Sequence, residues 1–523
     1  MSTLRRTVRG GSPGAGGYRA LEAGPGEPHQ DRRDLAEPPG VVGDALLTVA
    51  QLSDLHLCDA QSPARAELLD RWADPDSPIR DEIGEVGTYR AQELLTAQVA
   101  DATVRAVNAV THGPVAGAPL DLTVVTGDNT DNAQANELTW YLAILEGGSV
   151  RPDSGDLSRW EGVADGVTVD ERFWHPETEG PDLPHHKFGF PRVPGLLTAA
   201  RAPFDTSGLR MPWLAVHGNH DRLLQGTVPA AGHLRAASTG HIKPIAVPEH
   251  WTIDAVKKLI DGLNACEPSA LEALSGMHNR RVTPDPGRRI VSRAEFVGAH
   301  FGPDAAPPGH GFSGANRDSG DAYYRHDHGD VTVLVLDTVN EHGGWQGSLD
   351  LDQLAWLDAQ LASADAERRY VVLASHHPLR NLTNGIAPDA GTPRVLGAQL
   401  SAVIDTHPCV VLWLNGHTHR VEATPHTRWW EVTAPSLIDW PQQGRIVEIL
   451  RAPGTLTIAA TMVDHAGPPA WDGTVGDPGS MASLARELAA NAWQWRELPL
   501  EQHPRAGTPD QRNVLLHLPD PWA

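Results

Sequence analysis

The stretch Ala45-Leu46-Leu47-Thr48-Val49-Ala50-Gln51-Leu52-Ser53-Asp54-Leu55-His56 is β-prone and mostly apolar to Leu52, then ends in a carboxylate and an imidazole two residues apart. Four later segments repeat the plan. Leu122–Val125 leads into Gly127-Asp128-Asn129, and Met211–Val216 leads into Gly218-Asn219-His220-Asp221. Tyr370–Ala374 leads into His376-His377-Pro378, and Val410–Leu414 into Gly416-His417-Thr418-His419. Between these runs lie stretches with helical spacing. They are 87–110, with Leu94, Leu95, Val99, Val104 and Val107, then Gln134–Leu145, then Leu349–Leu361 with Leu351, Leu354, Leu357 and Leu361 on one face. Strands alternating with helices predict an α/β fold with a parallel or mixed sheet. Ligands collect at the carboxyl ends of strands in such sheets, so all five motifs are expected to converge on one site.

Working outward, residues 1–44 read as a Gly/Pro-rich arm and 45–465 as one catalytic domain. Insertions at about 147–210 and 225–320 interrupt that domain, the second with a helix at Ile253–Leu263, and they are expected to cap the substrate pocket. The strand pair Asp321–Arg325 and Val331–Leu336 follows. Arg428–Thr433, Arg445–Leu450 and Thr455–Ala460 read as late strands of a second sheet, and 466–523 as a tail with one helix, Ser480–Asn491.

The chain has 523 residues, with 42 Lys+Arg against 66 Asp+Glu, a formal charge of −24. That balance argues against general binding to nucleic acid or to an anionic membrane, while leaving a small phosphorylated substrate open. Three cysteines, Cys58, Cys266 and Cys409, are too few for a disulfide framework and point to a reducing, cytoplasmic setting. No apolar run is long enough to span a membrane. Arg5-Arg6 is followed by polar, Gly/Pro-rich sequence rather than an apolar export segment.

Residues two apart on a strand point the same way, so Asp54 and His56 are expected to grip one cation together, and His417 and His419 share that spacing. Imidazole and carboxylate together favour Zn, Fe or Mn over Ca. Asp128 has the two oxygens needed to bridge a pair of cations, and two adjacent cations imply chemistry on phosphate oxygens. Asn219, a neutral and weaker ligand, leaves an electrophilic face on the second ion.

The ordered set resembles the calcineurin-like metallophosphoesterase superfamily, whose blocks read D-x-H, G-D, G-N-H-[DE], H and G-H-x-H. The resemblance covers roughly 45–465 and includes the flanks Leu336-Asp337-Thr338 and Leu349–Leu357; the arm and Asp128-Asn129-Thr130-Asp131-Asn132 resemble an actinobacterial branch. It implies a four-layer α/β/β/α sandwich of two mixed β-sheets flanked by helices. It implies a first metal on Asp54, His56, Asp128 and His419, and a second on Asp128, Asn219, His376 and His417, with His377 the rival of His376. His220 would be the acid serving the leaving group, oriented by Asp131 or, second, by Asp221. The activity implied is hydrolysis of a phosphoester, mono- or diester, by a hydroxide activated on two divalent or trivalent Mn, Fe or Zn ions. A protein phosphatase is the weaker reading, because Asn132 follows Asp131 where those enzymes carry Arg. A non-catalytic scaffold is weaker still, since every motif position is intact.

Other residues are expected to be ordinary. His326-Asp327-His328 reads as a solvent-facing turn, His185-His186 as a surface loop and His217 as a strand residue. Cys58 reads as a packed thiol, and Trp429, Trp430 and Trp440 as packing. His342 and Arg222 are lesser candidates for contact with the pocket.

Overall fold

A computed structural model describes residues 2–83, 89–167, 170–230, 232–265, 267–387, 392–496 and 498–523. Cys266 and the first two residues of the helix expected at 87–110 lie outside the described residues. The strands of the two large sheets are β1 Gln30–Arg32, β2 Asp44–Leu52, β3 Leu122–Val125, β4 Trp213–Ala215, β5 Tyr324–His328, β6 Val331–Val335 and β7 Tyr370–Ala374. They continue as β8 Val410–Asn415, β9 Glu422–Pro425, β10 Trp430–Thr433, β11 Gln443–Ala452, β12 Thr455–Asp464 and β13 Val514–Pro519.

One sheet has the order β1-β13-β12-β11-β2-β3-β4, the other β5-β6-β7-β8-β10-β9. In the first, β2, β3 and β4 run parallel, and β11 closes against β2 antiparallel. In the second, β6, β7, β8 and β10 run parallel between antiparallel edges. Both sheets are therefore mixed. The parallel strands of each are buried and rich in Val and Leu, as expected of strands covered on both faces.

Alternation along the strands builds the layers. Val49, Val124 and Val447 of one sheet meet Val333, Val372, Leu412 and Leu414 of the other in the central core. The opposite face of the second sheet, with Leu334, Leu373 and Trp413, is covered by helices Leu351–Glu367 and Gly397–Ile404. Helices Thr96–Ala109, Ala135–Glu146 and Pro478–Ala490 lie outside the first sheet, with Val99, Val104, Ile144, Leu484 and Leu488 in the same continuous core. The architecture is helix, sheet, sheet, helix.

Three local expectations change. The late strands divide: β10 joins the second sheet, while β11 and β12 return beside β2, where Val447 pairs with Val49 and Ile449 with Leu47. Pairing between strands this distant in sequence carries no local signal. Second, Leu351 is 52% exposed, and the buried helix face is Gln353, Leu357, Leu361 and Ala364. The Gln353 amide clips the main chain of Asp337 at 2.9 and 2.8 Å, so a polar residue takes an inward place that leucine spacing assigned elsewhere. Third, His326-Asp327-His328 lies within edge strand β5, and the turn is Gly329-Asp330.

Both ends of the chain contribute to the first sheet, through β1 and β13. Residues Arg6–Pro13 and Arg19–Pro25 form an antiparallel ribbon. Ile242–Ala246 and His278–Arg281 form a further antiparallel ribbon. Among the described residues, no helix is long and apolar enough to cross a membrane.

Candidate metal centre

The parallel strands stop just short of the motif residues, and the ladder runs on into the loops. Asp54 N donates to Gly127 O at 3.0 Å, His56 N to Asp128 O at 2.9 Å, and Gly416 N to His376 O at 3.0 Å. The backbone then turns left-handed at Asp54 (φ 52°), His56 (46°), Asp128 (50°), His417 (68°) and His419 (55°). Such conformations cost ~1–3 kcal/mol each in non-glycine residues and persist where the surroundings dictate them, typically at functional sites. The pleat of a strand therefore does not explain why Asp54 and His56 act together; these turns do. They also separate His417 from His419. The donor groups close enough to hold one ion are Asp54 with His56 and His419, Asp54 with Asp128 and His376, His56 with Asp131 and His220, and His376 with His377 and His417.

Close backbone approach makes the convergence possible. At Gly127 (φ +91°) a Cβ would lie 2.6 Å from His376 Nδ1. At Gly416 a Cβ would collide with Ser53 Oγ and the Asp54 carboxylate.

Three of the four candidate rings have the outward nitrogen occupied. His56 Nδ1 meets Asp131 Oδ1 at 3.0 Å, His419 Nδ1 meets Asp439 Oδ2 at 2.6 Å, and His376 Nδ1 donates to Thr126 O at 2.9 Å. A ring that donates through Nδ1 presents a bare lone pair at Nε2. Those lone pairs face inward: His56 Nε2 is 3.2 Å from His419 Nε2, and His376 Nε2 is 3.2 Å from His417 Nδ1. Asp54 Oδ1 lies 3.3 Å from His419 Nε2, while Asp128 Oδ2 lies 3.1 Å from His376 Nε2 and 3.7 Å from His56 Nε2, between the two halves. Asn219 donates through Nδ2 to Gly226 O at 2.9 Å, and its buried Oδ1 has no hydrogen-bond partner among the described residues. Converging lone pairs with an orphaned amide oxygen are what a pair of cations satisfies, so these residues fit them.

The electrostatics follow from burial against close opposite charge. Burial pushes the Asp128 carboxyl up, but His376, His220 and His56 outweigh it and hold the group well below the usual range. Asp54 is likewise lowered, mainly by His419 working against burial. Burial opposes charge on His376, yet Asp128 and Asp54 raise it to about 9. Burial, with His377 and His376 alongside, holds His417 well below its ordinary value and keeps it a neutral donor.

His220 sits beside His56, with ring centroids 4.6 Å apart, and its Nδ1 donates to the Asp131 main-chain oxygen at 2.6 Å. The Asp131 carboxylate does not reach that ring. One oxygen takes His56 and the other takes Arg65, which draws the side chain toward His56 and away from His220. Asp221 does not orient His220 either; it accepts the main-chain N–H groups of Asn129, Thr130 and Gly218 at 3.0, 2.9 and 2.9 Å and binds two motif loops together. His377 has Thr338 Oγ1 on one ring nitrogen (2.8 Å) and Trp345 O on the other (3.0 Å), and burial lowers it to about 3. Of the two rivals, His376 is the one whose Nε2 meets Asp128 and His417.

Several supporting residues escaped the reading of the motifs. Asp439 holds His419, and Arg505 (2.5 Å) and Arg90 (2.7 Å) keep Asp439 ionised against burial. A lone acid inside Leu437-Ile438-Asp439-Trp440 was the available signal. Behind His56 runs a buried ionic chain: Asp131 to Arg65, Arg65 to Glu93 (2.7 Å) and Glu67 (3.4 Å), and Glu67 to Lys243 (2.7 Å) on the ribbon strand Ile242–Ala246. Arg222 pairs with Glu341 at 3.3 Å, and His342 is exposed. Cys58 is a buried thiol raised well above its ordinary value by burial. His185 closes on Asp182 within a short helix, His217 on Asp337, and the three tryptophans are buried.

No protein-family model matches the chain. A stretch of 78 residues is 33% identical to the manganese-dependent ADP-ribose/CDP-alcohol diphosphatase of Xenopus tropicalis. It covers 14% of this chain, which thus spans about a fifth (21%) of that relative. Among solved structures, a dimetal phosphatase from Danio rerio aligns at 11% identity over 81% of this chain and 100% of its own, with a TM-score of 0.35. GAP50, the anchor in the inner membrane complex of Plasmodium, aligns at 10% identity over 83% and 87%, with a TM-score of 0.29.

Proposed function

We propose that this chain is a metal-dependent phosphoester hydrolase of the calcineurin-like kind. One observation carries the reading: inward-facing imidazole nitrogens and Asn219 Oδ1, unpartnered among the described residues, converge around Asp54 and Asp128. Asp54, His56, Asp128 and His419 would hold the first ion, and Asp128, Asn219, His376 and His417 the second, with Asp128 shared. When bound, two such ions lower the pKa of a water and neutralise charge on phosphate oxygens. Mn, Fe and Zn all suit the donor set. The 33% identical stretch in a manganese-dependent diphosphatase makes Mn²⁺ the first ion to supply.

The protein's own residues do the rest. Asp131, Asp439 and the Thr126 carbonyl fix three ring orientations before any substrate arrives. His220 works through Nε2, because Nδ1 is committed to the Asp131 carbonyl. Burial lowers the His220 pKa while Asp128 and Asp131 work the other way, and when protonated the ring would give its Nε2 proton to the departing ester oxygen. The segment 225–320 meets this site at Gly226, beside Asn219 and His220, and the insertions at 147–210 and 225–320 are expected to shape what enters it.

The test supplies Mn²⁺ and assays p-nitrophenyl phosphate and its bis-ester, with metal content measured on the same samples. His220→Asn is expected to cut turnover ~10²–10⁴-fold with both ions retained. Full activity with intact metal would remove His220 from the chemistry. Protein that binds two ions and cleaves neither ester would overturn the hydrolase reading.

A further inference from the structure

We infer that Trp345 is a stacking plate for the organic part of the substrate, and that it selects phosphoesters whose esterified group carries a planar ring, a nucleobase or an aryl group. The inference rests on the hydrolase reading above and narrows its substrate class. The chain has 16 tryptophans, all within the described residues, and Trp345 alone is exposed, at 49%. Its ring lies within 20° of parallel to that of His417, a ligand candidate of the second ion, with centroids 5.7 Å apart.

The loop that carries it is tied down on every side. Trp345 O accepts from His377 Nε2 at 3.0 Å, and His377 is itself held by Thr338. Asn384 Nδ2 donates to Gly343 O at 2.7 Å and to Gln346 O at 3.0 Å. Gly344 N donates to Thr227 O at 2.9 Å, in the segment that follows the Asn219-His220 motif. Asn340 Nδ2 donates to Ile386 O at 2.9 Å, placing that residue, 48% exposed, on the adjoining loop.

A large apolar ring held still in water costs hydrophobic free energy that folding does not recover. Here the main chain beneath the ring is fixed by its neighbours, and the ring begins a stack on His417 and remains open to solvent. A second flat ring completes that stack. Stacking tolerates any base or aryl ring because every one has a π-face. The same surroundings involve His377, whose Nε2 bonds the main chain of the plate.

The test is calorimetry on Mn²⁺-loaded protein with adenosine 5′-monophosphate and with glycerol phosphate. Trp345→Ala is expected to weaken nucleotide binding about tenfold, equivalent to ~1.4 kcal/mol, and to leave glycerol phosphate unchanged. Trp345→Phe is expected to keep most of the nucleotide affinity. Equal losses for both ligands, no loss for the nucleotide, or no nucleotide binding by the unaltered protein would each overturn the inference. Turnover of the same two esters is read separately, so its absence sinks the hydrolase reading while the binding comparison still decides Trp345.

Discussion

At the residue scale, the centre depends on partners one step removed from the ions. Asp439 is the clearest case, since a carboxylate on Nδ1 fixes both the tautomer and the direction of His419. Asp439→Asn is expected to weaken metal binding ~10–100-fold, measured by competition with a chelator. It also leaves Arg90 and Arg505 without that carboxylate, so the thermal midpoint should fall as well. Unchanged affinity would show that His419 is oriented by its turn alone. The motif residues were legible because each sits at a fixed offset from an apolar run. Their partners were not, because Asp439 and Arg65 come from loops with no spacing relation to the histidines they serve. Asp131 illustrates the limit: its offset from Asp128 suggested a partner for His220, and Arg65 turns its carboxylate toward His56 instead.

At the scale of elements, strand ends decide where ligands go. Gly127 is the tightest joint, since its left-handed backbone lies against the His376 ring. Gly127→Ala is expected to push that ring outward, lowering occupancy of the second ion while the first is retained, with ~1–3 kcal/mol of strain added. Metal content per chain and denaturant unfolding check both parts, and two retained ions would refute the placement. Most strands were readable as short runs rich in Val and Leu, and four of the five helices over the sheets as periodic stretches; Gly397–Ile404 was not anticipated. What remained hidden was pairing. The return of β11 and β12 to the first sheet depends on which face Val447 and Ile449 can bury against, a relation that exists only after the chain has folded. The shifted face of Leu351–Glu367 has a similar cause, because a side-chain amide bonding the Asp337 main chain outweighs a leucine's preference for burial.

At the scale of the molecule, two sheets with a shared core hold loops from both at one edge, so ion binding and global stability are linked. Ions that bind the folded state alone add RT ln(1 + [L]/Kd), ~4 kcal/mol at a thousandfold excess over Kd. Chelation is therefore expected to lower the unfolding midpoint in calorimetry, and Mn²⁺ to restore it. A midpoint indifferent to chelator would mean that the cluster holds no ion in solution.

The left-handed turns at five of the seven ligand candidates carry a consequence for how ions come and go. Each turn is an uphill conformation that the surrounding chain holds, through bonds such as those from Asp54 N and His56 N to the neighbouring motif loop. An arriving cation would find its corners already wound, and loading would be limited by diffusion and the shedding of hydration water rather than by refolding of the loops.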